Sequence, residues 1–386
     1  MTYLMVFASL AYLAWLMQEL RQARRNRASL RHVVHVNGIR GKSSVSRLID
    51  AGLRAGGLRV FTKTTGTCPA IIGVDSVEKP LFRRGRPSIK EQLRILRLAA
   101  GQKADVLVVE CMAVLPEYQK ASEEAMLRAD VGVITNVRLD HTEEMGETLD
   151  EIAEALSHTI PERGTLFTAD AAYRDFFAGK AREKEASVVL SGMSSGEIDP
   201  SVDRIDFAEN VSLALSVCEH LGVERGMALA GMRQHRRDPG AFRVETMAGR
   251  GGSRIIFLNA LAANDPSSSE RILDRAEREG LLSSGTKLLL VNNRRDRPAR
   301  LRQFVDFAVK HERRFDRIVA AGACRPAMRR ALVKRGVAPG RIASLGDISE
   351  LARLEEDAVV FAVGNIVGSG RIGARGTDEA GVADVR

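Results

Sequence analysis

The sequence predicts an α/β protein with a mostly parallel central sheet, a smaller Rossmann-like α/β domain after it, and one transmembrane helix before it. Short apolar runs alternate with helical patterns from about residue 33 onward, which is typical of β-α-β units. The runs lack alternation of apolar and polar residues, as expected for strands that are covered on both faces. The chain has 386 residues, which is enough for about two domains.

The first element is an apolar segment. Residues 1–17 contain no charged side chain, which is the short end of the length that spans a bilayer. Five arginines follow it: Arg21, Arg24, Arg25, Arg27 and Arg31. Basic residues next to a membrane helix stay on the cytoplasmic side of the membrane. A signal peptide carries positive charge before its apolar run, and no charge precedes the run here. Residues 1–30 are therefore predicted to be a single-pass cell-membrane helix with a basic juxtamembrane segment, and the body is cytoplasmic. A buried or interfacial helix is the alternative.

Residues 31–240 are predicted to form the central domain. Its strand-like runs are Val33–Val36, Arg59–Lys63, Val106–Cys111, Val131–Val137, Thr165–Thr168 and Val188–Leu190. Its helical patterns are Ser43–Ala55, Ser88–Ala100, Glu117–Arg128, Leu149–His158 and Ala208–Leu221. Parallel strands that are joined by helices have their carboxyl ends at one edge of the sheet, where ligands bind. Polar residues that follow these strands are therefore expected to lie close together.

Residues 241–386 are predicted to form the smaller domain, because a second alternating block begins near residue 254. Its strand-like runs are Arg254–Leu258, Lys287–Asn292, Arg317–Ala321 and Val359–Val363. Its helical patterns are Ser268–Glu279, Ala299–Lys310 and Pro326–Arg335. Asp238-Pro239-Gly240 is the predicted hinge between the two domains, because Pro and Gly interrupt helices and strands alike.

The charge of the chain favours an anionic partner. The formal net charge is +9, and aromatic residues make up only 5% of the chain. A basic surface attracts nucleotides, polyanions or lipid headgroups, whereas proteins that stack nucleic-acid bases need aromatic platforms. No nucleic-acid partner is therefore predicted.

The most specific signal is the segment Gly38-Ile39-Arg40-Gly41-Lys42-Ser43-Ser44. It follows the first strand of the central domain and precedes a helical pattern, which is the arrangement of a phosphate-binding loop. In such a loop, backbone N–H groups and the helix N-terminus hold the anion, Lys42 adds a positive charge, and Ser43 can bind Mg²⁺. The first glycine of a standard P-loop is absent, because Val36 stands at its position.

Acidic and imidazole side chains follow two other predicted strands. Glu110 lies at the end of one strand, and Asp140-His141 follow the next one. A carboxylate at this edge suits Mg²⁺, and an adjacent Asp can orient an imidazole for a metal or a proton. The segment from Lys63 to Thr67 follows a further strand and offers hydroxyl groups, although a plain turn explains it nearly as well.

These motifs resemble those of the Mur ligases and folylpolyglutamate synthetases. The phosphate loop of that superfamily is Gly-Thr-Asn-Gly-Lys-Thr/Ser, and its Mg²⁺-binding Glu is matched by Glu110. Its Thr-Asn-Ile/Val-x-x-Asp-His motif is matched by residues 135–141, and an Asn near the adenine is matched by Asn210. The resemblance covers about residues 33–300 and implies a Mur-ligase-like P-loop central domain.

A narrower resemblance is carried by three segments and by the N-terminal helix. Asn37–Ser43, Glu110–Gln119 and Asn259–Pro266 look like the corresponding segments of the ligase subunit of poly-γ-glutamate (capsule) synthases, the PgsB/CapB type. This resemblance implies an ATP- and Mg²⁺-dependent amide ligase that polymerises glutamate through an acyl phosphate and releases ADP. The implied partners are glutamate, the growing poly-γ-glutamate chain, the membrane and small membrane subunits that take part in synthesis and export.

The resemblance also implies roles for individual residues. Lys42 and the loop would hold the β- and γ-phosphates, Ser43 and Glu110 would hold one Mg²⁺, His141 would bind a second metal ion, and Asp140 would orient the site.

Further nucleotide contacts are implied less directly. Arg236 is the best match for an arginine at the domain junction, with Arg237 as the alternative. A last contact falls at Asn259 or Asn264. Many Mur enzymes carry a carbamylated lysine, and the spacing here does not choose between Lys180 and Lys184.

Two other functions stay open at this point. One is a folyl- or γ-glutamyl-ligase relative whose apolar helix is only a core element. The other is a membrane-tethered P-loop NTPase that powers or scaffolds an assembly without ligating anything.

Overall fold

The computed structural model describes residues 2–66, 69–83, 85, 87–192, 206–237, 242–263, 265–294 and 298–365. The chain divides into two compact units, residues 1–238 and 239–386. The predicted hinge Asp238-Pro239-Gly240 lies outside the described residues, and the domain boundary at residue 240 stays a prediction.

Helix α1, Thr2–Ala28, begins the first unit and has 27 residues. By its length and composition it can cross a membrane, and none of its apolar window is buried. Large side chains are exposed all along it, from Tyr3 to Leu20, and only the C-terminal end packs on the body, where Ala23 and Asn26 are buried. The structure therefore disagrees with the alternative in which α1 is a buried core helix.

The first unit is built on an eight-stranded sheet with the order β4-β3-β2-β5-β1-β6-β7-β8. Its strands are β1 His32–Asn37, β2 Val60–Thr64, β3 Ala70–Ile72, β4 Glu78–Pro80, β5 Val106–Glu110, β6 Val131–Ile134, β7 Thr165–Thr168 and β8 Ser187–Leu190. In the part of the sheet with the order β2-β5-β1-β6-β7-β8, all neighbouring strands pair in parallel. Strands β3 and β4 extend the β2 edge as an antiparallel hairpin. The sequence pattern missed this hairpin because strands of three residues are too short to show a period.

Helices cover this sheet. They are α2 Lys42–Ala55, α3 Glu91–Gly101, α4 Pro116–Lys120, α5 Thr142–Met145, α6 Leu149–Ser157, α7 Arg174–Glu183, α8 Ala208–His220 and α9 Arg225–Arg233. The helix predicted over Glu117–Arg128 consists of α4 followed by a π-helix over Ala121–Leu127. The strand predicted to reach Val137 ends at Ile134, because the next residues turn toward the loop that follows β1.

Helix α2 shows how this fold positions the phosphate loop. Val45, Leu48, Ile49 and Leu53 recur at helical spacing and are fully buried. They pack in one cluster with valines of the sheet and with apolar side chains of α8. Full burial of one such side chain stabilises the fold by about 1.5–3 kcal/mol. The same packing holds the first turn of α2 beside the end of β1.

The π-helix brings a carboxylate under the sheet. Glu123 Oε2 lies 2.8 Å from His35 Nδ1 on β1, and its Oε1 accepts a hydrogen bond from the Ala129 backbone N–H at 2.8 Å. Both side chains of the pair are buried. Burial lowers the pKa of His35, but Cys111 and Glu123 outweigh this effect and raise the pKa to about 9. A π-helix inside a helical pattern leaves no periodic signal, so the sequence did not predict this pair.

The second unit contains a six-stranded sheet with the order β13-β12-β11-β14-β10-β9. Its strands are β9 Arg243–Ala248, β10 Arg254–Asn259, β11 Thr286–Asn293, β12 Arg317–Gly322, β13 Ile342–Ser344 and β14 Ala358–Gly364. Its helices are α10 Pro266–Arg278, α11 Pro298–Lys310 and α12 Arg325–Lys334. Only β9 pairs in the antiparallel direction. Asp265 begins α10 as its N-cap, and its carboxylate accepts a hydrogen bond from the Ser268 N–H at 2.8 Å.

We expect the free energy of unfolding to fall as the pH drops below about 6.5. Burial lowers the pKa of five histidines because it disfavours the imidazolium: His32, His141, His158, His235 and His311. At these five histidines the unfolded chain binds more protons than the folded one, and they outnumber His35, whose raised pKa has the opposite effect, so acid favours unfolding. Urea unfolding at a series of pH values measures the effect.

A histidine variant tests the cause of this pH dependence. His311 is 3% exposed and its Nε2 has no hydrogen-bond partner among the described residues. His311→Gln should therefore flatten the profile between pH 7 and pH 5. A wild-type profile that rises toward acid pH would contradict the expected sign.

Candidate active site

The loop between β1 and α2 needs glycine at two positions. Gly38 and Gly41 have φ angles of 119° and 82°, a region that other residues rarely adopt. A Cβ atom on Gly38 would lie 2.7 Å from the Thr135 backbone nitrogen, and one on Gly41 would lie 2.9 Å from Asn210 Oδ1. The loop thus turns tightly between two neighbouring segments, and side chains at these positions would push it out of place.

The first turn of α2 is open to an anion. Gly41 is the N-cap of α2, and no side chain caps this end of the helix. The N–H groups of the first turn of a helix have no partner within it, and the helix dipole makes this end positive. Lys42, Ser43 and Ser44 form the first turn here. This arrangement has the geometry that a phosphate cradle requires, as the sequence predicted.

Lys42 lies folded over its own loop. Its Nζ donates hydrogen bonds to the carbonyl oxygens of Gly38 at 2.6 Å and Ile39 at 3.3 Å. Burial lowers the pKa of this ammonium group, and the Glu110 carboxylate opposes the shift. The charge is therefore held at the centre of the loop, within reach of a phosphate that occupies the cradle.

Thr135 and Asn136 brace the other side of the loop. Asn136 Oδ1 accepts a hydrogen bond from the Arg40 N–H at 3.1 Å, and its Nδ2 donates to the Arg40 carbonyl at 3.0 Å. Thr135 Oγ1 donates to the same carbonyl at 2.6 Å. The sequence identified these two residues as part of a family motif but not as supports of the phosphate loop, since 95 residues separate Thr135 from Arg40.

Glu110 lies directly beside the cradle. Strands β1 and β5 pair so that Val36 lies opposite Glu110. Its Oε2 accepts hydrogen bonds from Ser43 Oγ at 2.9 Å and from the Thr65 backbone N–H at 2.7 Å. The carboxylate is only 2% exposed, so these two donors hold it in one orientation.

The Ser43 and Glu110 pair suits a magnesium ion. Both side chains offer oxygen, which is the donor that Mg²⁺ prefers, and Mg²⁺ usually takes its other ligands from phosphates and water. Neighbouring ligands of an octahedral Mg²⁺ with bonds of 2.0–2.1 Å lie about 2.9 Å apart. The two oxygens are 2.9 Å apart in the structure, so they match two adjacent positions of such an ion.

Asp140 and His141 follow β6 at the same edge. Asp140 Oδ2 lies 2.7 Å from Arg40 Nη2, and His141 Nε2 lies 3.7 Å from the same oxygen. Burial lowers the pKa of His141 while Asp140 opposes the shift, and the Lys42 charge also acts on this imidazole. His141 therefore stays neutral near pH 7 and has a free electron pair for a metal ion.

The His141 region does not form a protein-only metal site. The described residues contain no group of three or more His, Cys, Asp or Glu side chains that could hold a metal ion. His141 Nδ1 lies 4.0 Å from Glu144 Oε2. An ion bound here would therefore need phosphate oxygens or water as further ligands.

The remaining predicted nucleotide contacts fall in different places. Asn210 is buried beside Gly41, and its Nδ2 donates to Asp206 Oδ1 at 2.9 Å. Arg236 lies near Glu78: a hydrogen bond from Arg47 mainly lowers the pKa of this carboxyl, and Arg236 adds to the effect. Asn264 lies outside the described residues.

Neither candidate for a modified lysine reaches the phosphate loop. Lys180 Nζ pairs with Glu154 at 2.8 Å, and Lys184 Nζ donates to the Ile160 carbonyl at 3.0 Å. Both lysines therefore bind the neighbouring α6 region instead.

A buried lysine behind Glu110 was missed by sequence reasoning. Lys63 is fully buried at the end of β2, and its Nζ lies 3.1 Å from Glu91 Oε1 and 3.5 Å from the Glu110 carbonyl oxygen. Burial lowers its pKa, and Glu91 opposes the shift. A lysine inside an apolar strand pattern was the available signal, because a buried ammonium group needs partners. Lys63 links the Glu110 backbone to α3.

Two family models match this chain. Residues 36–234 match the Mur ligase middle domain, and residues 244–377 match the poly-gamma-glutamate synthase CapB C-terminal domain. The chain is 41% identical over 291 residues to the capsule biosynthesis protein CapB of Bacillus anthracis, which is 74% of this chain and 62% of that protein. It is 34% identical over 378 residues to the PGA synthase CapB of Bacillus subtilis, which is 95% of each chain. The matched region is thus less than two thirds of the first relative and nearly all of the second.

Solved structures show the same fold at low sequence identity. The folylpolyglutamate synthase of Mycobacterium tuberculosis, solved with ADP and AMPPCP, has a TM-score of 0.62 at 16% identity. The match covers 94% of this chain and 97% of that one.

Proposed function

Because this chain belongs to the CapB-type poly-γ-glutamate synthases of the Mur ligase superfamily, we propose that it is an ATP-dependent amide ligase that polymerises glutamate. The family membership that the motifs predicted and the α/β fold with two mostly parallel sheets are both confirmed, and the membrane-spanning role of α1 stays a prediction. The observation that carries the proposed chemistry is the Ser43–Glu110 oxygen pair, 2.9 Å across, beside the open first turn of α2. A nucleotide phosphate in the cradle and Mg²⁺ on this pair would be immediate neighbours.

The proposed reaction has two steps. A glutamate carboxylate oxygen attacks the γ-phosphorus of ATP, the bond to the bridging oxygen breaks, and an acyl phosphate and ADP form. The amine of a second glutamate unit then attacks the acyl carbon, loses a proton and displaces phosphate. Such phosphoryl transfers depend on positioning and charge neutralisation rather than on covalent catalysis by the protein.

The loop residues would supply the positioning. The N–H groups of residues 41–44 and the Lys42 ammonium would hold the β- and γ-phosphates, and Ser43 and Glu110 would hold Mg²⁺. Bound Mg²⁺ would neutralise charge between the phosphates and the incoming carboxylate. Thr135 and Asn136 would keep the loop in this shape through their hydrogen bonds to Arg40.

The part of the site around Asp140 and His141, which follow β6, would receive the attacking carboxylate. The neutral His141 would offer its ring nitrogen to a second metal ion, and Asp140 would orient it while pairing with Arg40. Asn210, beside Gly41, would contact the nucleotide. Arg236 and Asn264 stay predicted nucleotide contacts.

The decisive experiment supplies membranes containing the full chain with ATP, Mg²⁺ and either D- or L-glutamate. We expect ADP release that depends on glutamate, together with a γ-linked polymer. ADP release that is independent of glutamate and yields no polymer would favour the tethered NTPase. Addition of glutamate to a folate-type acceptor, without polymer, would favour the folyl-ligase relative.

We also propose that α1 anchors the chain in the cell membrane, with the ligase body in the cytoplasm and small membrane subunits of a synthesis and export complex as partners. Support comes from the exposure of α1 along its apolar length. After an alkaline carbonate wash, the full chain should stay in the membrane pellet. Clean release into the supernatant would contradict an integral anchor, and a parallel high-salt wash controls for peripheral binding.

A further inference from the structure

Helix α1 and the π-helix enclose a groove of about 450 Å³ on the first unit. Leu20 and Ala23 of α1 line it together with Ala125 and Met126 of the π-helix. Arg24, Arg27 and Arg128 also line the groove. It therefore combines apolar walls with positive charge, which is the combination that an anionic amphiphile requires.

The position of the groove along α1 is the second observation. The uncharged segment ends at Met17, and Arg24 lies seven residues further along the same unbroken helix. At a rise of 1.5 Å per residue, this distance is about 10 Å. The headgroup layer of one leaflet is roughly 5–8 Å thick. If the apolar segment crosses a bilayer, Leu20, about 4.5 Å past Met17, lies at the level of the lipid headgroups, and Arg24 lies just beyond their outer edge.

The three arginines of the groove differ in their partners within the protein. Arg27 pairs with Asp130 at 2.7 Å and donates to the carbonyl oxygens of Leu127 and Arg128. Arg24 and Arg128 are exposed and have no ion pair within the described part of the chain. The only acid that lines the groove, Glu124, lies 3.4 Å from Lys184 Nζ. Two guanidinium groups are therefore left for an anion from outside.

We propose that this groove binds an anionic phospholipid, with the phosphate between Arg24 and Arg128. The first acyl carbons lie against Leu20, Ala23 and Met126. The proposal deepens the proposed function and rests on its membrane anchor. A polyanion without an acyl chain would gain nothing from the apolar walls, and a zwitterionic lipid would gain less from the two arginines.

A lipid in this groove would hold the body in one orientation at the membrane. Arg27 already ties the end of α1 to the residues that precede β6, and a three-residue turn connects α1 to β1. The lipid would add a contact on the same face of α1, about one turn before Arg27, between the helix and the π-helix. The phosphate loop at the end of β1 would then keep a fixed direction relative to the bilayer.

The test uses the full chain in a non-ionic detergent, titrated with phosphatidylglycerol or phosphatidylcholine. Native mass spectrometry counts the lipids that stay bound. Wild type should retain one phosphatidylglycerol in preference to phosphatidylcholine. Arg24→Gln with Arg128→Gln should weaken phosphatidylglycerol binding about thirty-fold, as expected for the loss of two basic groups at a lipid surface.

Two further variants separate charge from shape. Ala125→Trp keeps every charge but fills the groove, so it should also abolish the preference. The matched control replaces the exposed Arg302 and Arg330 of the second unit by Gln and should bind as wild type does. Glutamate-dependent ADP release in detergent shows that each variant is folded.

Either of two results would overturn the proposal. One is undiminished phosphatidylglycerol binding by the double variant or by Ala125→Trp. The other is competition by glycerol phosphate or an oligoglutamate that matches competition by the lipid, which would indicate a simple anion site. Because binding is measured in micelles, failure of the groove is distinguishable from failure of the anchor, which the carbonate wash reports, and of the ligase, which polymer formation reports.

Discussion

A Lys42→Ala variant is expected to lose ATP turnover while keeping its fold. The ammonium lies at the centre of the phosphate loop, 2.6 Å from the Gly38 carbonyl oxygen. Preorganised charges in a site that excludes water contribute strongly to the stability of a transition state, and removal of one such donor typically slows a reaction by about a hundred- to a thousandfold. In the proposed site Lys42 would hold a phosphate that carries several charges, so we expect the loss to reach at least the upper end of this range.

ADP release with saturating glutamate measures the effect on turnover. The fold should persist, because α2 is held by the buried face around Leu48 and Leu53 and not by Lys42. Circular dichroism and the melting temperature check this. Lys334→Ala, which removes an exposed lysine near the end of α12, is the matched control and should be fully active. Retention of more than about a tenth of the activity in Lys42→Ala would contradict the assignment of the loop.

The second large effect is expected from Glu110→Gln. The substitution keeps the shape of the side chain but removes the charge that would face Mg²⁺. We expect kcat to fall by a hundredfold or more and the Mg²⁺ concentration at half-saturation to rise. Both changes follow from the geometry, because the carboxylate is buried and held by Ser43 and by the Thr65 N–H.

A double-mutant cycle with Ser43→Ala makes the test specific. If Ser43 and Glu110 hold the same ion, the double variant should lose less than the product of the two single losses. Additive losses would show that the two side chains act separately. An unchanged Mg²⁺ dependence in Glu110→Gln would remove Glu110 from the metal site. Glu183→Gln, on the exposed side of α7, controls for the loss of one acidic group.

Most of the parallel sheet could be predicted because its strands are continuous apolar runs. The runs that became β1, β2, β5, β6, β7 and β8 were all recognised. The hairpin β3–β4 was missed because its strands are short and because β4 reads Glu-Lys-Pro. The edge strand β9 was missed as well, since only one of its faces packs and its side chains are mostly exposed.

In the candidate site, the residues that could be predicted are those that lie close together in the sequence. Gly38, Gly41, Lys42 and Ser43 lie within six residues, so their spacing alone predicted the phosphate loop. Lys63 was named only as the start of a candidate loop segment, and its ammonium group was given no role, because a buried lysine is recognised only when its partners Glu91 and Glu110 are known. The support of the loop by Asn136 was missed for the same reason.

The sequence by itself determined the chemistry that is local to the chain: a phosphate loop with its two glycines, the alternation of strands and helices, and an apolar segment followed by arginines. These features depend on backbone conformation and on the pattern of side chains along one segment. The tertiary structure alone decided which groups meet. Ser43 and Glu110 are 67 residues apart, and Arg40 and Asp140 are 100 residues apart. Their distances are set by strand register and by the packing of helices on the sheet, which no local pattern contains.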